Sequence, residues 1–175
     1  ALARQYVAAS AARRAAAPSA GRVAATFEGV FEVDLQRSDK LGTLLKLVGV
    51  PSIGCVAANR AKQVLTFKTR SGGLVVTSKS TFRTDTTDYT FGERQDTTQG
   101  TATWPVELSV DGHALVRVDH PNPDRSTASK ALKNWDGSST VYTMEGANTM
   151  QSVVLMQKGG KVVLSMRRYY DRVGK

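Results

Sequence analysis

The sequence has little of what stabilises or marks secreted and membrane-spanning proteins. Its 175 residues include one cysteine, Cys55, so no internal disulfide can form. It contains no Asn-x-Ser/Thr acceptor site for N-glycosylation. No apolar run approaches the ~18 residues that a membrane-spanning helix needs. These absences favour a protein of a reducing compartment without a transmembrane segment.

Residue patterns for the common kinds of catalysis are also missing. The sequence contains no P-loop, no dinucleotide-binding fingerprint and no Ser/His/Asp arrangement. The two histidines, His113 and His120, have no cysteine near them, so we expect no metal site. Since nothing in the chain supplies a nucleophile with its base, we expect a protein that is not an enzyme.

Acidic residues are absent from the first 27 positions, which hold twelve alanines and four arginines. This composition is typical of a mitochondrial targeting segment, because a cationic helix is drawn to negatively charged membranes and by the membrane potential. We therefore expect a basic leader over residues 1–25 and a mitochondrial location. The alternatives are an exposed tail without a targeting role and a cytoplasmic protein.

The four arginines of the first 27 positions supply four of the nine net positive charges. Because the body has no Lys/Arg run, nucleic-acid binding is not expected.

Short apolar stretches separated by glycine turns dominate the body of the chain. Apolar and polar residues alternate over residues 106–110, an Asp-Gly turn follows, and the apolar pattern resumes at 115–118. Two other pairs of stretches around Gly-Gly turns have the same form, namely 63–69 with 74–77 and 153–156 with 162–166. Repeated short strands joined by glycine turns predict an antiparallel sandwich or barrel.

One stretch of the body has helical spacing. Apolar residues recur at helical intervals over residues 41–48, after a capping pair at Ser38 and Asp39. Gly49 and Pro51 are expected to end this helix. A glycine inside the stretch predicts that it is short or broken.

Four groups of short motifs follow one another along the body: FEGVFEV at 27–33, LLKLVGV at 44–50, TFRT and YTFGE between 81 and 93, and DG, LV and WDG between 111 and 137. Each is short, but their order and their coverage of most of residues 26–170 are informative together. The set resembles the cytosolic fatty-acid-binding protein family.

This resemblance implies an all-β fold, a closed antiparallel ten-stranded β-barrel with a short helical cap, over residues 26–175. The Ala/Arg-rich N-terminal extension would precede it. The two cap helices would come from residues 39–48. Barrels of this size can enclose a ligand cavity, and family members hold a fatty acid or a retinoid there. The resemblance thus implies no cofactor and a fatty acid or another lipid as ligand.

Many family members hold the ligand carboxylate with two arginines and a tyrosine. The family's R-x-Y motif matches Arg167 and Tyr169, although a shift of one residue would select Arg168 and Tyr170. The position of the second arginine is occupied by Met144, so half of the anion site is missing.

Two further residues complete the predicted ligand-binding set of Arg167, Tyr169, Phe82 and Met144. Phe82 matches the family's portal phenylalanine, the alternative being a half-buried core aromatic. Met144 is one of four methionines in the last third of the chain, which suit either a deformable cavity wall or an ordinary core.

The family pattern is interrupted by an insertion at residues 119–133, where family members have a tight hairpin. Loops of this length are uncommon in compact domains unless they have a function or are disordered. Together with the leader and Met144, the insertion favours an accessory subunit of a larger mitochondrial assembly, such as a respiratory-chain complex, with a retained lipid still compatible. Other subunits would bind through the leader and the insertion. The alternative is a free intracellular carrier of fatty acid or a similar hydrophobic ligand.

Overall fold

The computed structural model describes residues 19–47, 50–99, 102–121 and 135–174. In chain order these form α1 (Ala20–Phe27), β1 (Gly29–Asp34), α2 (Leu41–Leu47), α3 (Ser52–Arg60), β2 (Gln63–Arg70), β3 (Gly73–Ser80), β4 (Thr84–Thr90), β5 (Arg94–Gln99), β6 (Ala102–Asp111), β7 (Ala114–Asp119), β8 (Trp135–Glu145), β9 (Thr149–Lys158) and β10 (Lys161–Gly174). Within these ranges, no helix has the length and apolar character needed to cross a membrane.

The ten strands form one antiparallel sheet in the order β4-β3-β2-β1-β10-β9-β8-β7-β6-β5. Strands that follow one another in sequence pair with each other, except β4 and β5, and β1 pairs with β10, so the sheet curls into a barrel. The three hairpins expected from the glycine turns are β2–β3, β6–β7 and β9–β10. The all-β, ten-stranded antiparallel fold predicted from the sequence is therefore confirmed.

The barrel is nearly closed, and its two end strands meet through side chains. No backbone ladder joins β4 to β5. The hydroxyls of Thr87 and Thr97 lie 3.2 Å apart across this gap, and the Gln95 amide bonds the backbone of Asp88 and Thr90. These bonds partly satisfy strand edges that would otherwise be open to pairing with another chain.

Helix α1 covers one end of the barrel. Val23, Ala24 and Phe27 are its buried residues, and they belong to the same core as the strands. The Phe27 ring lies 6.2 Å from that of Phe67 on β2. The predicted boundary at residue 25 falls inside this helix, so the last part of the expected leader packs as barrel core. The first 18 residues lie outside the described part of the chain.

The cap at the other end contains α2 and α3, and the prediction that both helices come from residues 39–48 is wrong. Only α2 lies in that range. The second helix begins after Pro51, whose fixed φ of −57° is compatible with the residue before a helix, so this proline starts a helix rather than ending one. Gly42 allows close packing of the pair: its amide donates to Asn59 Oδ1 at 2.6 Å, and a Cβ there would lie 2.7 Å from the Cys55 carbonyl oxygen.

Ser38 and Asp39 are predicted from the sequence to cap a helix. In the structure both residues bond to β10. The Ser38 hydroxyl accepts a hydrogen bond from the Tyr169 amide at 2.9 Å. The Asp39 carboxylate accepts one from the Arg167 amide at 2.7 Å. The segment that leads into the cap is therefore tied to the barrel wall.

Candidate ligand-binding site in the barrel lumen

The register of β10 decides which arginine enters the barrel. Side chains alternate between the two faces of a strand, and Tyr170 lies in the buried core. Arg168 shares its face and is 3% exposed, whereas Arg167 is exposed on the outer wall. The interior orientation predicted for Arg167 and Tyr169 is therefore corrected by one residue, to the alternative pair Arg168 and Tyr170.

Arg168 is held by neutral partners. Its Nη1 donates to Gln63 Oε1 on β2 at 2.7 Å, and the Tyr170 hydroxyl donates to the same oxygen at 3.1 Å. Gln63 in turn donates from Nε2 to the Ser78 hydroxyl at 2.9 Å. A second guanidinium donor, Arg168 Nε, is buried and has no hydrogen-bond partner among the described residues. A buried donor without an acceptor is costly, so an acceptor supplied from outside the chain would be favourable.

Arg168 also has no counter-ion within the described ranges, since none of the ion pairs found there includes it. Burial raises the pKa of the adjacent Tyr170 phenol, while the positive charge of Arg168 and a hydrogen bond with Ser152 oppose the rise. The phenol is neutral at physiological pH and remains a hydrogen-bond donor. The pair thus presents one uncompensated positive charge and a neutral donor, which suits a carboxylate.

Arg167 and Tyr169 instead line a groove of about 320 Å³ on the outer wall, together with Arg37 and Asp39. Arg37 stacks over the Tyr169 ring at 5.2 Å and pairs with Asp34 and Asp171. From this position neither Arg167 nor Tyr169 can reach a ligand inside the barrel.

A second polar cluster on the inner wall was not anticipated from the sequence. Arg117 and Asp119 lie on the same face of β7 as Leu115, which is fully buried. Asp119 Oδ1 accepts hydrogen bonds from Arg117 Nη2 at 2.5 Å and from Trp104 Nε1 at 2.8 Å. The available sequence signal was the charged residue Arg117, two positions after the inward Leu115. The apolar pattern predicted over residues 115–118 does not account for this charge.

The Arg117 side chain remains charged despite its position. Burial alone would lower its pKa, but the adjacent Asp119 carboxylate more than offsets that effect and the net shift is upward. Burial raises the pKa of Tyr142, and the positive charge of Arg117 opposes that rise. Arg117 and Asp119 therefore form an ion pair without net charge, beside the protonated phenol of Tyr142.

The fold was compared with known proteins. No protein-family model matches the chain, and no curated protein matches it in sequence. Solved structures do match. A Schistosoma mansoni fatty acid binding protein in complex with arachidonic acid is 18% identical, with a TM-score of 0.68, over 86% of this chain and 98% of that one. Echinococcus granulosus fatty-acid-binding protein 1 is 17% identical, with a TM-score of 0.66, over 85% and 98%. This chain has the fatty-acid-binding-protein fold.

The same fold occurs in a protein that is not described as a fatty-acid-binding protein. A heat-soluble protein from Ramazzottius varieornatus is 11% identical, with a TM-score of 0.66, over 84% of this chain and 95% of that one. At such identities the similarity establishes the fold alone. Function therefore has to be argued from the lumen itself.

Within the fatty-acid-binding-protein fold, Phe82 lies in the turn between β3 and β4. Ser80 pairs with Gln63, which follows α3 closely, so this turn lies at the end that carries the cap helices. Phe82 is 67% exposed, which excludes the alternative of a half-buried core aromatic. Its role as a portal residue stays a prediction.

Met144 lies on the inner face of β8, opposite Met150 on β9, and is packed partly buried against the core. Met150, Met156 and Met166 are buried. All four methionines thus belong to the inner wall of β8, β9 and β10, beside Arg168. Their burial fits an ordinary core as well as a deformable cavity wall, so both alternatives remain predictions.

Several inward residues of this fatty-acid-binding-protein fold are only partly buried, namely Gln63, Val76, Tyr142 and Val154. The Tyr142 ring lies 5.8 Å from that of Phe67. Side chains therefore meet across the barrel at the level of the aromatic floor of Phe27, Phe31 and Phe67. Within the described ranges, no cluster of three or more His, Cys, Asp or Glu residues offers a metal site.

Proposed function

We propose that this chain binds and carries a fatty acid, or a similar hydrophobic anion, inside the barrel. The observation that supports this most strongly is Arg168, a buried cation to which the described residues offer neither a counter-ion nor an acceptor for Nε. A ligand carboxylate placed there would supply both the missing negative charge and the missing acceptor. Tyr170 would donate a second hydrogen bond by rotating its hydroxyl from Gln63.

The acyl chain would lie against the methionines of β8, β9 and β10. Methionine adapts to irregular apolar shapes, so this wall would accept chains of different shape. The solved Schistosoma relative, described as a complex with arachidonic acid, supports the use of this barrel type for such a ligand.

The carrier function is preferred here to the accessory-subunit role. The subunit role and a mitochondrial location depend chiefly on residues 1–18 and on residues 122–133 of the insertion, all outside the described residues. Both stay predictions. The carrier function depends on side chains of the described barrel.

The test compares two neighbouring arginines that face opposite ways. The delipidated full chain would be titrated with a long-chain fatty acid and with the alcohol of the same length, using calorimetry. We expect the acid to bind more tightly, and Arg168→Gln to weaken acid binding by about 10- to 100-fold, as for a lost hydrogen bond to a charged group. Alcohol binding should change little.

Arg167→Gln is the matched control, because it removes the same charge from the outer wall. It should leave both affinities unchanged. If Arg168→Gln, while folded, binds the acid as tightly as the unmodified chain, the carboxylate site is not at Arg168. If the unmodified chain binds no acid, the carrier function is wrong.

A further inference from the structure

The lumen contains a second polar site, formed by Arg117, Asp119 and Trp104 on β6 and β7. Arg117 pairs with Thr140 on β8, Thr140 with Val154 on β9, and Val154 with Met166 on β10. Met166 and Arg168 are successive residues on the inner face of β10. With strands ~4.8 Å apart, the two arginines are thus separated by about 14 Å around the barrel wall, at neighbouring levels.

The carboxylate of Asp119 is fully occupied by protein donors. Its Oδ1 accepts from Arg117 Nε at 3.1 Å, from Arg117 Nη2 at 2.5 Å and from Trp104 Nε1 at 2.8 Å. Its Oδ2 accepts from the Ser138 hydroxyl at 3.4 Å. The indole and the hydroxyl therefore hold Asp119 in place and compensate its burial.

The guanidinium of Arg117 is less fully occupied. A guanidinium has five N–H donors, and the acceptor that the described residues offer to Arg117 is a single oxygen of Asp119. The side chain keeps 19% of its surface accessible, and by register the side chain points into the barrel. Remaining donors of Arg117 are therefore directed at the space that a ligand would fill.

An unbranched saturated chain would cover these donors without offering them an acceptor. Removing water from an ion pair is unfavourable unless new hydrogen bonds replace those lost. A ligand oxygen at this point would replace the water. A simple acyl chain needs only apolar contacts. An inner face of β7 that was apolar throughout, as it is at Leu115, would supply them without Arg117.

We infer that the preferred ligand is an oxygenated fatty acid, with its carboxylate at Arg168 and a second oxygen function, a hydroxyl or a second carboxylate, at Arg117. This inference rests on the proposed carrier function. It assigns Arg117 as a specificity-determining residue, held in position by Asp119 and Trp104.

The test measures the affinities of one panel of acids of equal chain length for the unmodified full chain. The panel contains the plain acid, mid-chain and terminal hydroxy acids, and the dicarboxylic acid. We expect at least one oxygenated acid to bind about 10-fold more tightly than the plain acid, since one hydrogen bond to a charged group contributes that much.

The double variant Arg117→Leu with Asp119→Leu removes the pair as a unit and leaves no unpaired buried charge. It should bind the plain acid at least as well as the unmodified chain does, and should lose the preference for the oxygenated acid. Fluorescence gives an independent measurement. In a Trp135→Phe background Trp104 is the single tryptophan, and the preferred acid should shift its emission more than the plain acid does.

The outcomes separate the two proposals. If the plain acid binds in an Arg168-dependent manner and no oxygenated acid binds more tightly, the inference about Arg117 is wrong and the carrier function stands. If the preference exists but survives in the double variant, Arg117 is not its source. If no member of the panel binds, both proposals are wrong.

Discussion

The guanidinium of Arg168 and the side-chain oxygen of Gln63 lie 2.7 Å apart, although 105 residues separate them in the chain. They belong to β10 and β2, which are not neighbours in the sheet, because β1 lies between them. The hydrogen bond therefore crosses the inner face of β1. It fixes a cation inside the barrel by a neutral partner, and no ion pair among the described residues includes that cation.

Arg168→Met should make the empty protein more stable while it weakens acid binding. Removing a buried cation with an unbonded donor relieves a cost of about 1–3 kcal/mol. We expect the free energy of unfolding of the delipidated protein to rise by that amount in urea titrations. Arg167→Met on the outer wall should change it by less than about 0.5 kcal/mol. A large loss of stability in Arg168→Met would show that the arginine is structural.

Asp119→Asn should be strongly destabilising, because it leaves the buried charge of Arg117 without its partner. The expected loss is about 3–5 kcal/mol in the free energy of unfolding. The double variant that replaces both residues by leucine should be close to the unmodified chain. A double-mutant cycle from denaturant titrations measures this coupling, and additive single effects would contradict it.

Phe27→Ala should destabilise the barrel, although the residue lies next to the predicted leader. Phe27 is fully buried and packs on Phe67, so its truncation should cost about 3–5 kcal/mol. Gly21→Ala in the same helix is the matched control, since no atom lies within 4 Å of a Cβ built there. This change should stabilise the helix by about 0.5–1 kcal/mol. Equal, small effects on thermal unfolding would mean that α1 is not part of the core.

The protein should lose stability at alkaline pH because of its buried tyrosines. Burial raises the pKa of Tyr142 above the ordinary value of 10.0, and the positive charge of Arg117 only partly opposes this. A raised pKa in the folded state gives stability that is complete below pH 10 and is lost as the pH rises through the folded-state value. The free energy of unfolding of the Tyr142→Phe variant should therefore decline less steeply above pH 10 than that of the unmodified chain, as measured in denaturant titrations. An unchanged slope would contradict the assignment.

How much of this architecture was predictable depends on the range of the interactions. The hairpin around Asp111 and Gly112 could be predicted from the sequence, since turn residues and alternation act over a few positions. The helix after Pro51 was missed, because the same proline can end one helix or start the next, and packing around Gly42 selects between them. Four methionines in the last third of the sequence suggest either a cavity wall or an ordinary core, and their shared inner face could be seen only in the sheet.

The sequence by itself determined three hairpins, β2–β3, β6–β7 and β9–β10, because glycine turns and apolar alternation are local signals. It also excluded a disulfide framework. Tertiary structure decided the site. A shift of one residue moves every side chain of a strand to the other face, so only the pairing of β10 with β1 and β9 could place Arg168 inside and Arg167 outside. The contact of Arg168 with Gln63 arises because β1 pairs with both β10 and β2, which brings together residues that no local pattern connects.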